Sequence, residues 1–242
     1  DRVAGVLAVG TDGEIRFLDV DTGKERGKLQ SQKKVVRIMF SPDGRTLFTK
    51  WALFTEGEER VEKSEGVTIT TRIPPKAIEP EIHLWDVNSM KELRKFEGDA
   101  EVVASAVFSP DGKTLAATDG DTIRFWDVAT GKQIRTLRGH QKDANIVAFS
   151  PDGKTLAAGY GKTVFGFGGP VRSDGGTILF WDVATGEVRR KLEGPKFGVA
   201  LLAFSPDGRT LVSVEHGEAI KFWKMDTSKE PQPLTASAGG SC

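Results

Sequence analysis

Residues 108–128 read FSPDGKTLAATDGDTIRFWDV, and both halves of this stretch recur along the 242-residue chain. The first half begins with Phe-Ser-Pro-Asp-Gly, whose Phe stands at positions 40, 108, 149 and 204. The second half ends on an apolar string whose Trp stands at positions 85, 126, 181 and 223, and a degenerate copy, IRFLDV, places Leu18 there. A fixed period of this kind indicates a repeat architecture. The base period is about 41 residues, so the chain contains five repeats and two insertions of about 27 and 14 residues.

Each repeat predicts four short antiparallel strands. In the repeat around residue 108, the almost continuous apolar run 102–108 fits a strand that is covered on both faces. Further strands are predicted at 114–117, 122–128 and 133–137, separated by Pro, Asp and Gly residues that favour tight turns. Short strands between regular turn signals indicate an all-β fold.

The fourth strand of each repeat is rich in basic residues, which indicates an exposed sheet edge. Charged side chains, Lys especially, protect such edges from pairing with other chains. A nucleic-acid surface is the alternative, but acidic residues elsewhere balance the charge. The basic residues concerned are Lys24, Arg26, Lys28, Lys91, Arg94, Lys95, Lys132, Arg135, Arg138, Arg189, Arg190 and Lys191.

The period, the strings FSPDGKTLAA and WDVATGK, and the Gly-His pair at 139–140 resemble WD40 repeats. The resemblance covers nearly the whole chain, and the close identity of the third and fourth repeats is similar to the regular WD40 proteins common in bacteria. It implies a β-propeller, in which four-stranded sheets, the blades, repeat radially. The implied blades span about residues 1–29, 30–96, 97–137, 138–192 and 193–236. Residues 1–226 then form the propeller, and 227–242 the last outer strand and a flexible tail.

The first blade lacks its inner strand, because the sequence begins with the second strand of that repeat. By resemblance, WD40 proteins most often have seven blades and usually close the ring by sharing one blade between the two termini. We therefore expect a missing chain segment to complete the ring. A closed five-bladed ring and closure by another subunit are the alternatives.

The resemblance also assigns structural roles to recurring residues. Blades of this family are often stabilised by a hydrogen-bonded set of His, Ser or Thr, Asp and Trp. The repeat of His140 carries Ala158 and Gly159 where a hydroxyl is expected, so we predict that packing of Trp and Phe stabilises the blades instead of a complete network. The residues assigned to the structural repeat are Trp85, Trp126, Trp181, Trp223, Asp86, Asp127, Asp182 and His140.

Composition argues against several classes of protein. The chain has 34 Lys and Arg against 34 Asp and Glu, so neither a nucleic-acid nor a membrane partner is expected. The one cysteine, Cys242, excludes a disulfide within the chain. No apolar run reaches the roughly 20 residues of a transmembrane helix and no signal peptide is visible, so we expect a cytoplasmic protein.

Sequence motifs for catalysis, metals or cofactors are missing. The three His, at 83, 140 and 216, lack metal-ligand spacing, and His83 is interpreted as a packed core residue. The segment 159–163 ends like a phosphate-binding loop, but Leu156 replaces the required Gly. The recurring Pro-Asp-Gly aspartates are interpreted as turn residues. We therefore predict a protein that is not an enzyme and binds no metal or cofactor; a propeller hydrolase or lactonase is the enzymatic alternative.

The two insertions carry the functional prediction, because both fall between the second and third strands of a repeat, at about 51–80 and 160–175. By resemblance, they emerge on one face of the propeller. Exposed aromatic residues on loops are candidate binding anchors, although they could instead pack on their own blade. We predict a scaffold that binds a protein or peptide on this face; an accessory domain or fragment of a larger regulatory or enzymatic protein is the alternative. The candidate partner-binding residues are Trp51, Phe54, Arg60, Val67, Ile69, Arg72, Phe165, Phe167 and Arg172.

Overall fold

A computed structural model describes residues 5–55, 58–64, 67–73, 77–96, 103–138, 144–161, 163–166, 169–173, 176–193, 198–215, 220–225 and 234–235. These residues form β-strands and turns. In this part of the chain there is no helix with the length and apolar character needed to cross a membrane. The chain forms two compact units, residues 1–101 and 102–242, which are described in turn.

The first unit contains two blades. Blade 1 is a three-stranded antiparallel sheet in the order β1, β2, β3, with β1 at Val6–Thr11, β2 at Glu14–Asp19 and β3 at Glu25–Gln30. Blade 2 is four-stranded, in the order β4, β5, β8, β9. Its strands are β4 (Lys34–Phe40), β5 (Thr46–Phe54), β8 (Ala77–Asp86) and β9 (Glu92–Phe96). Between β5 and β8 the chain forms a separate two-stranded sheet of β6 (Glu58–Ser64) and β7 (Val67–Ile73).

The second unit contains three four-stranded blades. Blade 3 consists of β10 (Ala106–Phe108), β11 (Thr114–Asp119), β12 (Thr122–Asp127) and β13 (Gln133–Leu137). Blade 4 consists of β14 (Ala144–Phe149), β15 (Thr155–Tyr160), β18 (Thr177–Asp182) and β19 (Val188–Glu193), with a separate sheet of β16 (Thr163–Gly166) and β17 (Gly169–Ser173) between β15 and β18. Blade 5 consists of β20 (Val199–Phe204), β21 (Thr210–Glu215), β22 (Ile220–Lys224) and β23 (Leu234–Thr235).

The recurring Ser-Pro-Asp-Gly strings form the turn between the first and second strands of a blade. In blade 3, Ser109 Oγ donates to Asp111 Oδ1 at 2.6 Å, and the same oxygen accepts from Lys113 N at 3.0 Å. Gly112 completes the turn with a φ of 70°, a conformation that glycine adopts without strain. The same bonds recur in three other blades at Ser41 and Asp43, Ser150 and Asp152, and Ser205 and Asp207. These aspartates are turn residues, as the sequence indicates.

Packing within the first unit joins the third strand of one blade to the second strand of the next. Ile15 and Phe17 of β2 share a core with Leu47 of β5, and all three side chains are fully buried. We call the side of a blade that contacts the next blade its following face, and the opposite side its preceding face. In these terms, Ile15 lies on the following face of blade 1 and Leu47 on the preceding face of blade 2.

Packing within the second unit repeats this arrangement twice. One core joins Ile123 of blade 3 to Leu156 of blade 4, and a second core joins Ile178 of blade 4 to Leu211 of blade 5. None of these four side chains is more than 1% exposed. Apolar residues on both sides of a sheet, each covered by a neighbouring blade, explain the continuous apolar runs in the sequence.

Five consecutive sheets of this connectivity confirm the predicted all-β, propeller-type fold class.

One predicted strand, that of the apolar run 102–108, is longer in the prediction than in the structure. Within the described part of this run, residues 103–108, the strand is only β10, because Thr118 Oγ1 accepts hydrogen bonds from Ala104 N and Ser105 N, both at 3.0 Å. A side-chain acceptor thus replaces the regular backbone ladder at the start of this strand.

Candidate functional site

The first insertion leaves blade 2 from an extended base formed by β5 and β8. Their ladder continues to Leu53 opposite Ile78 and Phe54 opposite Ala77. The sequence placed the start of the insertion at Trp51, but this side chain is 2% exposed and lies in the core shared with blade 1. Phe54 is 40% exposed at the end of β5. The base is therefore part of the folded blade, and Phe54 is its exposed aromatic residue.

Beyond this base, β6 and β7 pair with each other over seven residues. The register sets Glu59 opposite Arg72 and Arg60 opposite Thr71. Ile69 stands opposite Glu62, and Val67 stands opposite Ser64 in the last pair of the ladder. The side chains of Arg60, Val67, Ile69 and Arg72 lie outside the described residues. The backbone of one hairpin therefore carries all four candidate residues.

A group of charged side chains lies beside the base of the first insertion. Glu81 of β8 accepts a hydrogen bond from Lys95 Nζ at 2.7 Å and lies 3.2 Å from Lys33 Nζ. The hydrogen bond from Lys95, followed by the contact with Lys33, lowers the pKa of Glu81 to about 2. His83 is 8% exposed and its ring stacks on Trp85 with centroids 5.6 Å apart. His83 is therefore a packed residue, as the sequence predicts. The ion pair between Glu81 and Lys95 connects β8 to β9.

The second insertion leaves blade 4 at the corresponding position, between β15 and β18. Tyr160 ends β15, pairs with Thr177 and is 1% exposed. Burial raises the pKa of its hydroxyl. The next carbonyl, that of Gly161, accepts a hydrogen bond from Asn145 Nδ2 of the first strand. The sequence placed Tyr160 inside the insertion, whereas the structure places it in the core of the blade.

The hairpin of the second insertion is short and contains most of its candidate residues. Phe165 stands opposite Pro170, and Val164 opposite Arg172, with a register shift between Val164 and Phe165. Phe167 lies outside the described residues, as do the side chains of Phe165 and Arg172. The described backbone therefore places Phe165 and Arg172 on paired strands.

Three of the four repeat tryptophans are buried, and Trp85 and Trp223 each donate a hydrogen bond to a hydroxyl on the second strand. Trp85 Nε1 donates to Thr49 Oγ1 at 2.9 Å, and Trp51 Nε1 donates to the same oxygen at 2.7 Å. In blade 5, Trp223 Nε1 donates to Ser213 Oγ at 2.8 Å. The three buried tryptophans are Trp126, Trp181 and Trp223.

Sequence reasoning missed the roles of Thr49 and Ser213, although the signal was present. Both stand two residues after the Leu that pairs with the repeat Trp. The corresponding residues of blades 3 and 4 are Ala117 and Ala158, which carry no hydroxyl. The repeat of His140 therefore has no hydroxyl at the position that accepts this bond in blades 2 and 5. His140 itself lies outside the described residues.

The aspartates that follow the repeat tryptophans organise the turn between the third and fourth strands. Each accepts a hydrogen bond at Oδ1 from the backbone N–H three residues further on, at 2.6–2.7 Å. Asp182 also forms an ion pair with Arg189 of the basic outer strand β19. The aspartates are Asp86, Asp127 and Asp182, with Asp19 in the same role in blade 1.

The described residues contain no group of three or more His, Cys, Asp or Glu side chains that could hold a metal ion. A polar groove of about 290 Å³ lies beside β12 and β13. In its lining, Arg124 forms an ion pair with Asp119, and Gln133 Nε2 donates to Thr136 Oγ1 at 3.0 Å.

Comparison with known proteins identifies the repeats. Three segments match the WD40 family, described as "WD domain, G-beta repeat", at residues 90–127, 131–182 and 186–224, which together make up more than half of the chain. Human WD repeat-containing protein 43 is 36% identical over 66 residues. The aligned part is 27% of this chain and 10% of that protein, so this chain matches only a small part of its relative.

Proposed function

The chain belongs to the WD40 family, and on this premise we propose that it is a non-catalytic scaffold that binds a protein or peptide through the face carrying its two insertions. WD40 repeats generally mediate protein–protein interaction, and proteins of the family are typically scaffolds without enzymatic activity. The bacterial character suggested by the regular repeats stays a prediction.

The observation that carries this proposal is the shared position of the insertions. One joins β5 to β8 and the other joins β15 to β18, so each connects the second strand of its blade to the third. In a propeller built from such blades, equivalent turns open on one face. Loops of variable length on a repeating scaffold are where binding residues concentrate.

Residues at these positions offer suitable chemistry for a protein partner. Phe54, at 40% exposure, is a large apolar side chain at the base of the first insertion. Arg72 and Arg172 stand on the hairpin strands, and Arg and aromatic residues are enriched among residues that dominate binding energy. Trp51 is buried, so its proposed part is to hold the base in place and not to contact the partner.

The proposal is tested with two deletions, 57–72 and 164–173, each joined by a short Gly-Ser linker. Each variant and the parent chain are used as bait under identical conditions, and captured proteins are identified by mass spectrometry. We expect the partner recovered with the parent chain to be lost with at least one deletion. A Phe54→Ala variant should weaken the same capture about tenfold or more, as loss of a central aromatic anchor does.

The matched control changes the opposite turns of the blades. Lys113→Glu and Lys154→Glu lie in the Ser-Pro-Asp-Gly turns and should leave capture unchanged. Melting curves of all variants establish that they are folded. Undiminished capture with both deletions would refute the proposed location.

A second candidate is supported by the partial match to the human relative. The aligned region is one tenth of that protein, so the similarity covers one part of a longer chain. On this proposal the propeller serves as the interaction module of a larger regulatory or enzymatic protein. The test is to sequence the transcript across both ends of this reading frame and assay any adjoining domain with and without the two insertions.

A further inference from the structure

A groove of about 440 Å³ lies between the Ser-Pro-Asp-Gly turns of blades 3 and 4, at the end of these blades opposite to the second insertion. We propose that this groove binds the side chain of an arginine that stands between apolar residues of a protein partner. The groove shares no lining residue with the two insertions. The inference is therefore independent of the proposed function.

The groove forms because the turns of neighbouring blades approach each other closely. A Cβ placed on Gly153 of blade 4 would lie 3.5 Å from Cδ of Pro110 in blade 3. The same spacing recurs between Gly208 of blade 5 and Pro151 of blade 4. The repeated turn thus fixes the two walls of the groove before any partner binds. A preformed site of this kind lowers the entropic cost of binding.

The floor of the groove is apolar and held in place by both blades. Phe149 of β14 is 8% exposed, and its ring makes an edge-to-face contact with Phe125 of β12, with centroids 6.1 Å apart. The backbone of Val183 is fixed on two sides, because its N–H donates to Lys154 O at 2.9 Å and its carbonyl accepts from Arg135 Nη1 at 2.7 Å. Such a floor suits the aliphatic part of a long basic side chain.

The charged lining of the groove is acidic. Among the described residues that line it, the charged ones are Asp111 on the wall from blade 3 and Asp152 on the wall from blade 4. In both turns the hydrogen bonds from Ser and from the backbone N–H end on Oδ1, so Oδ2 of each carboxylate can accept from a ligand. The exposed Lys113 and Lys154 of the same turns are not among the lining residues. The groove therefore offers two anionic acceptors above an apolar floor.

Arginine fits this combination of groups. Its guanidinium carries five N–H donors on three nitrogens, which allows hydrogen bonds to acceptors on two different walls. The exposed rings of Pro110 and Pro151 line the groove beside the two carboxylates and offer contacts to apolar neighbours of the arginine. A free amino acid would bring its own carboxylate close to Asp111 and Asp152, whereas an arginine within a chain brings only the cation. The charge of the groove thus favours a peptide segment as its occupant.

The experiment uses the peptide Leu-Arg-Leu, acetylated at its N-terminus and amidated at its C-terminus. It is titrated into the isotope-labelled chain, and binding is followed by the NMR shifts of the backbone amides. We expect the shifts to concentrate at Asp111, Asp152 and Val183. The same peptide with citrulline in place of arginine has the same shape without the charge, and it should bind about tenfold more weakly or worse, because hydrogen bonds between charged groups are the stronger ones. Free arginine should also bind about tenfold more weakly.

Two variants of the chain test the acidic walls and the apolar floor separately. The double substitution Asp111→Asn and Asp152→Asn keeps the acceptor oxygen of each turn, removes both charges and should weaken peptide binding about tenfold or more. Val183→Met should weaken binding to a similar extent by filling the floor. Blade 5 carries Met225 at this position with an equivalent backbone hydrogen bond, so the fold accommodates this side chain.

The matched control is Asp207→Asn, which makes the same change in the turn of blade 5, away from this groove. It should bind the peptide like the parent chain, and so should the 57–72 deletion, which separates this inference from the proposed function. Melting curves establish that each variant is folded. Absence of peptide binding, shifts that lie elsewhere, equal binding of the citrulline peptide or of free arginine, or parental binding by either test variant would overturn the inference.

Discussion

Thr49 illustrates how one side chain can hold two aromatic residues in a blade. Its Oγ1 accepts hydrogen bonds from Trp51 at 2.7 Å and from Trp85 at 2.9 Å, and Thr49 is fully buried. Replacing Thr49 by Val keeps the shape of the side chain but leaves two indole N–H groups without this acceptor. An unsatisfied buried donor costs about 1–3 kcal/mol. We expect Thr49→Val to lower the free energy of unfolding by at least this amount in urea titrations.

The matched control is Thr49→Ser, which retains the hydroxyl and removes one methyl group. It should cost about 1 kcal/mol, the usual effect of removing a buried methyl group. Equal stability of the Val and Ser variants would show that the two hydrogen bonds contribute nothing to the stability of blade 2.

Met90 is the one non-glycine residue with a positive φ, at 54°, in the part of the chain that the structure describes. The equivalent turns of blades 1, 3 and 4 carry glycine, including Gly131 with a φ of 70°. The Met90 side chain packs on the core between blades 1 and 2, directly over Gly27 of β3. Packing against the neighbouring blade thus offsets the strain of this backbone conformation.

This arrangement predicts that a side chain at Gly27 is accommodated only if the end of Met90 moves. A Cβ at Gly27 would overlap Sδ and Cε of Met90, the far end of a flexible side chain, so we expect a cost at the low end of the about 1–3 kcal/mol typical of overpacking. We expect Gly27→Ala to lower the melting temperature. In a Met90→Gly background the same substitution should cost much less, because the overlapping atoms are gone. A double-mutant cycle measures this coupling, and strict additivity would contradict it.

At the scale of elements, the first insertion consists of a base that belongs to the sheet of blade 2 and a hairpin whose two strands pair with each other. The base carries Trp51 in the core, whereas β6 and β7 pair only with each other among the described strands. Deletion of residues 57–72 should therefore change the free energy of unfolding by less than about 1 kcal/mol, since shortening a loop has a small entropic effect.

Trp51→Ala is the comparison for this deletion. Loss of a buried aromatic side chain costs about 3–5 kcal/mol, so this variant should be far less stable than the deletion. Urea unfolding monitored by circular dichroism distinguishes the two. A deletion as costly as Trp51→Ala would mean that the hairpin contributes to the blade.

The turns could be predicted from sequence because their determinants are local. The turn is closed by hydrogen bonds among Ser109, Asp111 and Gly112, which lie within four residues, so the pattern alone specifies the turn. The length of β10 could not be predicted, because Thr118, 13 residues after Ser105, supplies the acceptor that interrupts the ladder. The predicted limits of the insertions were wrong for a similar reason. Trp51 and Tyr160 resemble loop aromatics by position, and only their packing against neighbouring strands shows that they are buried.

At the scale of the whole molecule, carboxylates held in turns and ion pairs determine how stability depends on pH. The net charge is zero, yet many aspartates accept hydrogen bonds that favour their charged form. The bond from Ser lowers the pKa of the turn aspartates Asp43, Asp111, Asp152 and Asp207. In blade 1, Arg26 and then Thr22 lower the pKa of Asp19 to about 2. In blade 2, Lys95 has the same effect on Glu81.

These shifts predict acid destabilisation with a defined sign and window. A carboxyl group whose pKa is lower in the folded than in the unfolded chain stabilises the fold above its unfolded pKa, near 4, and loses this contribution as the pH falls towards its folded value. We expect the melting temperature to be constant from about pH 7 to pH 5 and to fall between about pH 4 and pH 2, the value for Asp19 and Glu81. Replacing Asp43, Asp111, Asp152 and Asp207 together by Asn, which keeps an acceptor oxygen but does not titrate, should flatten this fall. Scanning calorimetry of both proteins across this range provides the test, and equal slopes would contradict a role for the turn aspartates.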